Sequence, residues 1–66
     1  MEITVNNQST TISDGNTLSD LIQQLGLNEK RIAIEYNRNI LSREQFASII
    51  LQADDNIEIV NLVGGG

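Results

Sequence analysis

The chain predicts an α+β fold, a mixed sheet of four to five strands covered by one main helix. Three observations carry this. Short alternating polar and apolar runs recur along the chain. A single segment has helical spacing of its apolar residues. That segment follows a hairpin and precedes the remaining strands, so strands and helix are segregated and the helix serves as the crossover that a parallel pairing needs.

The elements follow in order. Residues 2–6, EITVN, place Ile3 and Val5 on one face and Glu2 and Thr4 on the other, the pattern of a half-buried strand. Asn6, Asn7 and Gln8 break it. STTIS, residues 9–13, supplies strand-favouring Thr and Ile, and the two runs predict a hairpin. Asp14-Gly15-Asn16 is a turn.

Leu18, Leu21, Ile22 and Leu25 lie at i, i+3, i+4 and i+7, one stripe of a helix. Thr17 is its cap, with Asp20 at capping-box spacing and at the positive end of the helix dipole. Gly26 is the left-handed stop, and Leu27 is placed to fold back onto the last turn.

RIAIEYN, residues 31–37, alternates again, with Ile32, Ile34 and Tyr36 inward and Tyr36 read as a core ring. Asn37-Arg38-Asn39 is a turn, and Ile40-Leu41 a very short strand. Ser42 caps a brief helical turn from Arg43, with Gln45 at the box position and Phe46, Ile49 and Ile50 as its apolar side. Arg43 and Glu44 can pair at the surface, for little energy. Asp54-Asp55-Asn56 is a break, and two adjacent Asp at a turn are expected to be solvated rather than to hold Ca²⁺, which needs more oxygens. Ile57 to Asn61 form the last strand, with Glu58 and Val60 on the face opposite Ile57 and Ile59. Residues 1–61 read as the domain and 62–66 as a flexible tail.

Size and composition narrow the function. A chain of 66 residues makes one domain and buries only about 60% of its unfolded surface. With neither Cys nor His, it has no disulfide, no Cys/His zinc site and no Ser-His or Cys-His nucleophile pair. Four Lys and Arg against nine Asp and Glu leave a charge of −5. That disfavours nucleic acid and anionic membrane surfaces and suits a partner protein with a basic docking face. MEITVNN lacks the features of a signal peptide, no run approaches a membrane span, and the expected compartment is the cytoplasm.

The chemistry-bearing feature is the end, IVNLVGGG. A carboxylate is a poor electrophile because its charge is delocalised. Joining it to a nucleotide phosphate activates it, which requires drawing the terminus into a narrow active site. Gly64, Gly65 and Gly66 have no Cβ, so such a tail fits a tight channel and takes backbone angles closed to other residues. Leu62 and Val63 are placed to anchor it on the enzyme, and Val60, on the outer strand face, is available for docking.

The whole chain resembles the ThiS family of sulfur carriers of thiazole synthesis in thiamine biosynthesis. The likeness lies in its length, in MEITVNNQ, TLSDLIQQLGL and AIEYNRNILSREQFA, and in DDNIEIVNLVGGG. The family pattern departs at Ser42, where Pro is frequent, at Phe46, where Trp is common, and at Asp54-Asp55-Asn56, where Asp-Gly-Asp is common. None of these touches the tail.

The resemblance implies the β-grasp fold of ubiquitin, with the last strand parallel to the first in mid-sheet. It implies that a ThiF-like, E1-like enzyme uses MgATP to adenylate Gly66 and that a cysteine desulfurase supplies sulfur to form a thiocarboxylate. A ThiG-like thiazole synthase then receives the sulfur. The chain itself would be a co-substrate without catalytic residues, metal or bound cofactor, and a monomer when free. Lacking Cys, it has only its terminus on which to carry sulfur. The same tail chemistry serves MoaD-like carriers of molybdopterin synthesis, which tend to be longer, and protein modifiers, for which Lys30 is the only Lys acceptor. A β-grasp interaction module ending in glycines is the third class.

Overall fold

The computed structural model describes residues 1–62. Its five strands are β1 (Glu2–Val5), β2 (Gln8–Thr11), β3 (Ile32–Tyr36), β4 (Asn39–Ile40) and β5 (Asn56–Asn61), with one helix, α1 (Leu18–Gln24), between the hairpins. Single 3₁₀ turns cover Glu29–Arg31 and Arg43–Gln45. The sheet order is β2-β1-β5-β3-β4. Only β1 and β5 run parallel, Thr4 opposite Asn56 and Val5 opposite Ile57.

Each hairpin turns on two residues. Asn6 and Asn7 have φ of 50 and 66, and Asn37 and Arg38 have φ of 47 and 73. Positive φ at both central residues gives a turn whose twist matches the strands it joins. Because the first turn needs only Asn6 and Asn7, β2 starts at Gln8 and ends at Thr11, earlier than the expected 9–13. For the same reason β4 sits at Asn39–Ile40 rather than 40–41.

The ends of α1 form as the sequence predicts. Asp20 N–H donates to Thr17 Oγ1 at 3.2 Å, and Thr17 N–H donates to Asp20 Oδ2 at 2.9 Å. Gly26 has φ +72. Leu27 N–H donates to the Ile22 carbonyl at 3.1 Å and Gly26 N–H to that of Gln23 at 3.0 Å, which together close the helix in a Schellman stop. Leu25, at the C-cap, is 40% exposed, so the buried stripe is Leu18, Leu21 and Ile22.

That stripe belongs to one core with Ile3, Val5, Ile12, Ile32, Ile34, Phe46, Leu51 and Ile57. Phe46 fills its place in this core at 2% exposure. Gln45 Oε1 accepts the Ser42 N–H at 2.9 Å, as the box spacing requires. Ile50, expected in the apolar side of that turn, is exposed, and Leu51 is buried instead. The backbone here is extended: Ile50 bridges antiparallel to Thr17, so neighbouring side chains take opposite faces.

Candidate functional site

The candidate site is the C-terminal end of β5 and the surface around it. Its geometry begins at the other end of the strand. Asp55, expected to be solvated, is only 7% exposed. Its Oδ2 accepts from Tyr36 Oη and from Gln52 N–H, both at 2.7 Å, and its Oδ1 accepts from Asn37 Nδ2 at 3.1 Å. Thr4 N–H donates to the Asp55 carbonyl at 2.9 Å. Asn37 also grips the next residue, its Oδ1 accepting from Asn56 N–H at 2.8 Å. Tyr36 is thus a core-edge ring with a polar anchor. Its burial first, and then the Asp55 hydrogen bond and charge, push its pKa from 10.0 up to about 12.

Further along, Ile57 is wholly buried. Asn6 N–H donates to the Ile57 carbonyl at 2.9 Å, and Asn6 Oδ1 accepts from Ile59 N–H at 2.7 Å. Beyond this the strand leaves the core. Val60 is 58% and Leu62 54% exposed, and Leu62 N–H donates to the Arg31 carbonyl at 2.8 Å. The structure therefore places both of these predicted docking residues in the open. Val63, Gly64, Gly65 and Gly66 lie outside the described residues.

On the outer face of the sheet, Val60 is opposite Ala33, Glu58 opposite Glu35, and Ile40 beside Glu35. These residues, with Ile34, line a shallow depression of about 130 Å³. Ile40 is 80% exposed. Two carboxylates directly opposite each other repel, so this face is apolar and negatively charged. A second groove, of about 290 Å³, is lined by Leu62 together with Lys30, Arg43, Glu29 and Glu44, which brings cations of the chain to the strand exit. Arg43 and Glu44 make no ion pair among the described residues. The Met1 ammonium and Asp14 do, at 3.8 Å.

The described residues hold no group of three acidic, Cys or His side chains able to bind a metal, and no helix long and apolar enough to cross a membrane. Sequence reasoning missed the Asp55 network and the exposed Ile40. Alternation with Glu35 across the β3–β4 turn was the available signal for Ile40. The Asp55 network had none, because its members come from separate segments.

The ThiS family model matches residues 1–66 in full. The chain belongs to the ThiS family. It is 33% identical to the sulfur carrier protein ThiS of Escherichia coli over the whole of both chains. Among solved structures, the thiamine biosynthesis protein ThiS of Geobacter metallireducens superposes with a TM-score of 0.84 at 26% identity, covering both chains completely. The five-stranded mixed sheet with one main helix is the β-grasp arrangement of that ThiS structure. A thiazole synthase of Magnetococcus marinus is 36% identical over 66 residues, and there this chain spans only 20% of the relative's length.

Proposed function

We propose that this chain is the sulfur carrier of thiazole formation in thiamine biosynthesis, with Gly66 as the carrying residue. The observation that supports it most is the end-to-end likeness to a ThiS carrier in a chain with three glycines that follow its central strand after two intervening residues. In this reading a ThiF-like enzyme uses MgATP to convert the Gly66 carboxylate to an acyl adenylate, releasing pyrophosphate. A desulfurase persulfide attacks the acyl carbon and AMP leaves. Reduction by a thiol then frees the thiocarboxylate, which a ThiG-like thiazole synthase consumes. The chain is a protein co-substrate, and ATP and Mg²⁺ belong to its partner.

The chain's own residues present the tail. Asp55, Asn37 and Asn6 fix β5, and Val60 and Leu62 offer apolar contact at its exit. The paired Glu35 and Glu58 favour a partner face with basic groups. The thiazole synthase relative that contains a segment like this chain supports such an enzyme as the acceptor.

The test is the intact mass before and after incubation with MgATP, the adenylating enzyme, a desulfurase and cysteine. The expected result is a gain of one oxygen-for-sulfur exchange, mapped to the C-terminal peptide so that oxidation of Met1 is not mistaken for it. No gain, with partners active on another carrier, replaces this reading by that of an interaction module.

A further inference from the structure

β5 outruns its parallel neighbour. β1 ends at Val5, opposite Ile57, and the chain turns away at Asn6 and Asn7. β5 continues to Asn61, with β3 still alongside: Ile34 opposite Ile59, Ala33 opposite Val60, and Ile32 opposite Asn61. Main-chain groups of successive strand residues point to opposite sides. The bonds of Ile57 and Ile59 to Asn6 put the odd-numbered residues on the β1 side. The bond from Leu62 to Arg31 puts the even-numbered ones on the β3 side. In a parallel ladder one residue donates to a carbonyl and accepts from the N–H two residues further on. Asn6 fills one such rung, its side-chain oxygen standing where its own carbonyl would be. The next rung, the Ile59 carbonyl and the Asn61 N–H, has no partner among the described residues.

We propose that this rung is a strand-addition site. An extended segment of the enzyme that activates the Gly66 carboxylate continues the line of β1, donating a main-chain N–H to Ile59 O and accepting from Asn61 N–H. This rests on the carrier reading. Three features select that occupant. A segment added here runs alongside the residues that lead to Gly66, where the enzyme must work. The exposed Val60 and Leu62 flank Asn61 and give that segment apolar contact. A second copy is disfavoured by the charge of −5 on each chain. The rung is short, so it adds modest affinity and permits release after each turnover.

Amide exchange of the unaltered chain tests this, alone and with the adenylating enzyme and MgATP. The Asn61 amide exchanges freely in the isolated chain and slows at least about tenfold in the complex, whereas Val60, facing β3, is protected in both. Asn61→Pro, which removes an N–H that has no partner among the described residues, weakens binding about fivefold to tenfold. A complex in which Asn61 exchanges as in the free chain overturns strand addition and leaves the carrier reading standing. Failure both to bind and to form a thiocarboxylate overturns the two together. Protection in the free chain that grows with its concentration assigns the rung to a second copy and overturns the proposal.

Discussion

The two ends of β5 differ in almost every physical respect. At its start, Ile57 is wholly buried and Asp55 is 7% exposed, and side chains from the two hairpin turns, Asn6 and Asn37, bond the strand's backbone. At its finish, Asn61, on the same face as Ile57, is exposed, as are Val60, on the opposite face, and Leu62, and β3 is the strand that still pairs with it. A strand rises about 3.4 Å per residue, so the change takes place within a few residues. One element thus divides anchoring from presentation. Substitutions at its start should act on stability, and those at its finish on partners.

Removing Gly65 and Gly66 gives the sharpest contrast. Thiocarboxylate formation is expected to vanish in the mass assay, with the melting temperature within about 2 °C of the parent because the two residues removed have no side chain to bury. Truncated chain that still supported thiazole formation would end the carrier reading. Next comes the anchored end. Ile57→Ala is expected to cost about 3 kcal/mol in urea unfolding, the transfer and cavity terms of a filled core site. Asp55→Ala strands the Tyr36 hydroxyl, the Asn37 amide and the Gln52 N–H, for about 2 kcal/mol. A value near zero for either would mean that the start of β5 is no anchor.

The pH dependence is a finer probe. Tyr36 keeps its proton to about pH 12 in the folded chain, against 10.0 unfolded. Its contribution is therefore complete below pH 10.0 and is lost as the pH rises toward 12, because the unfolded chain gives up the proton first. Tyr36 is the only tyrosine, so phenolate absorbance reports it alone. Tyr36→Phe should flatten that alkaline slope and lower stability by about 1 kcal/mol at neutral pH. Smallest of all is Val60→Ala, expected within about 0.5 kcal/mol of the parent in unfolding while weakening binding to the adenylating enzyme. A large loss of stability there would erase the division between the two ends.

The sequence made some of this legible and hid the rest for physical reasons. Local rules sufficed for α1, whose Thr17, Asp20 and Gly26 act within one turn of the helix ends. Alternation sufficed for Ile3 and Val5, Ile32 and Ile34, and Ile57. The reading of the tail rests on chemistry alone, and residues 63–66 lie outside the described residues. Ile50 and Leu51 exchanged places because helical spacing was applied to a backbone that is extended. Asp55 misled because adjacent Asp residues at a turn are ordinarily wet, and its burial depends on Tyr36 and Asn37, far off in sequence. The strand-addition rung is a product of register, the offset between the ends of β1 and β5, which no local pattern encodes.

The place of β5 in the chain also governs how the molecule is made. The central strand is synthesised after the other four. Until it exists, β1–β2 and β3–β4 are separate hairpins with no ladder between them, each marginal by itself in water. Pairing Thr4 with Asn56 then closes a loop that spans most of the chain, an entropic cost that local contacts cannot repay beforehand. Folding is therefore expected to wait for β5, so that the sheet closes only when the last of its five strands has been made.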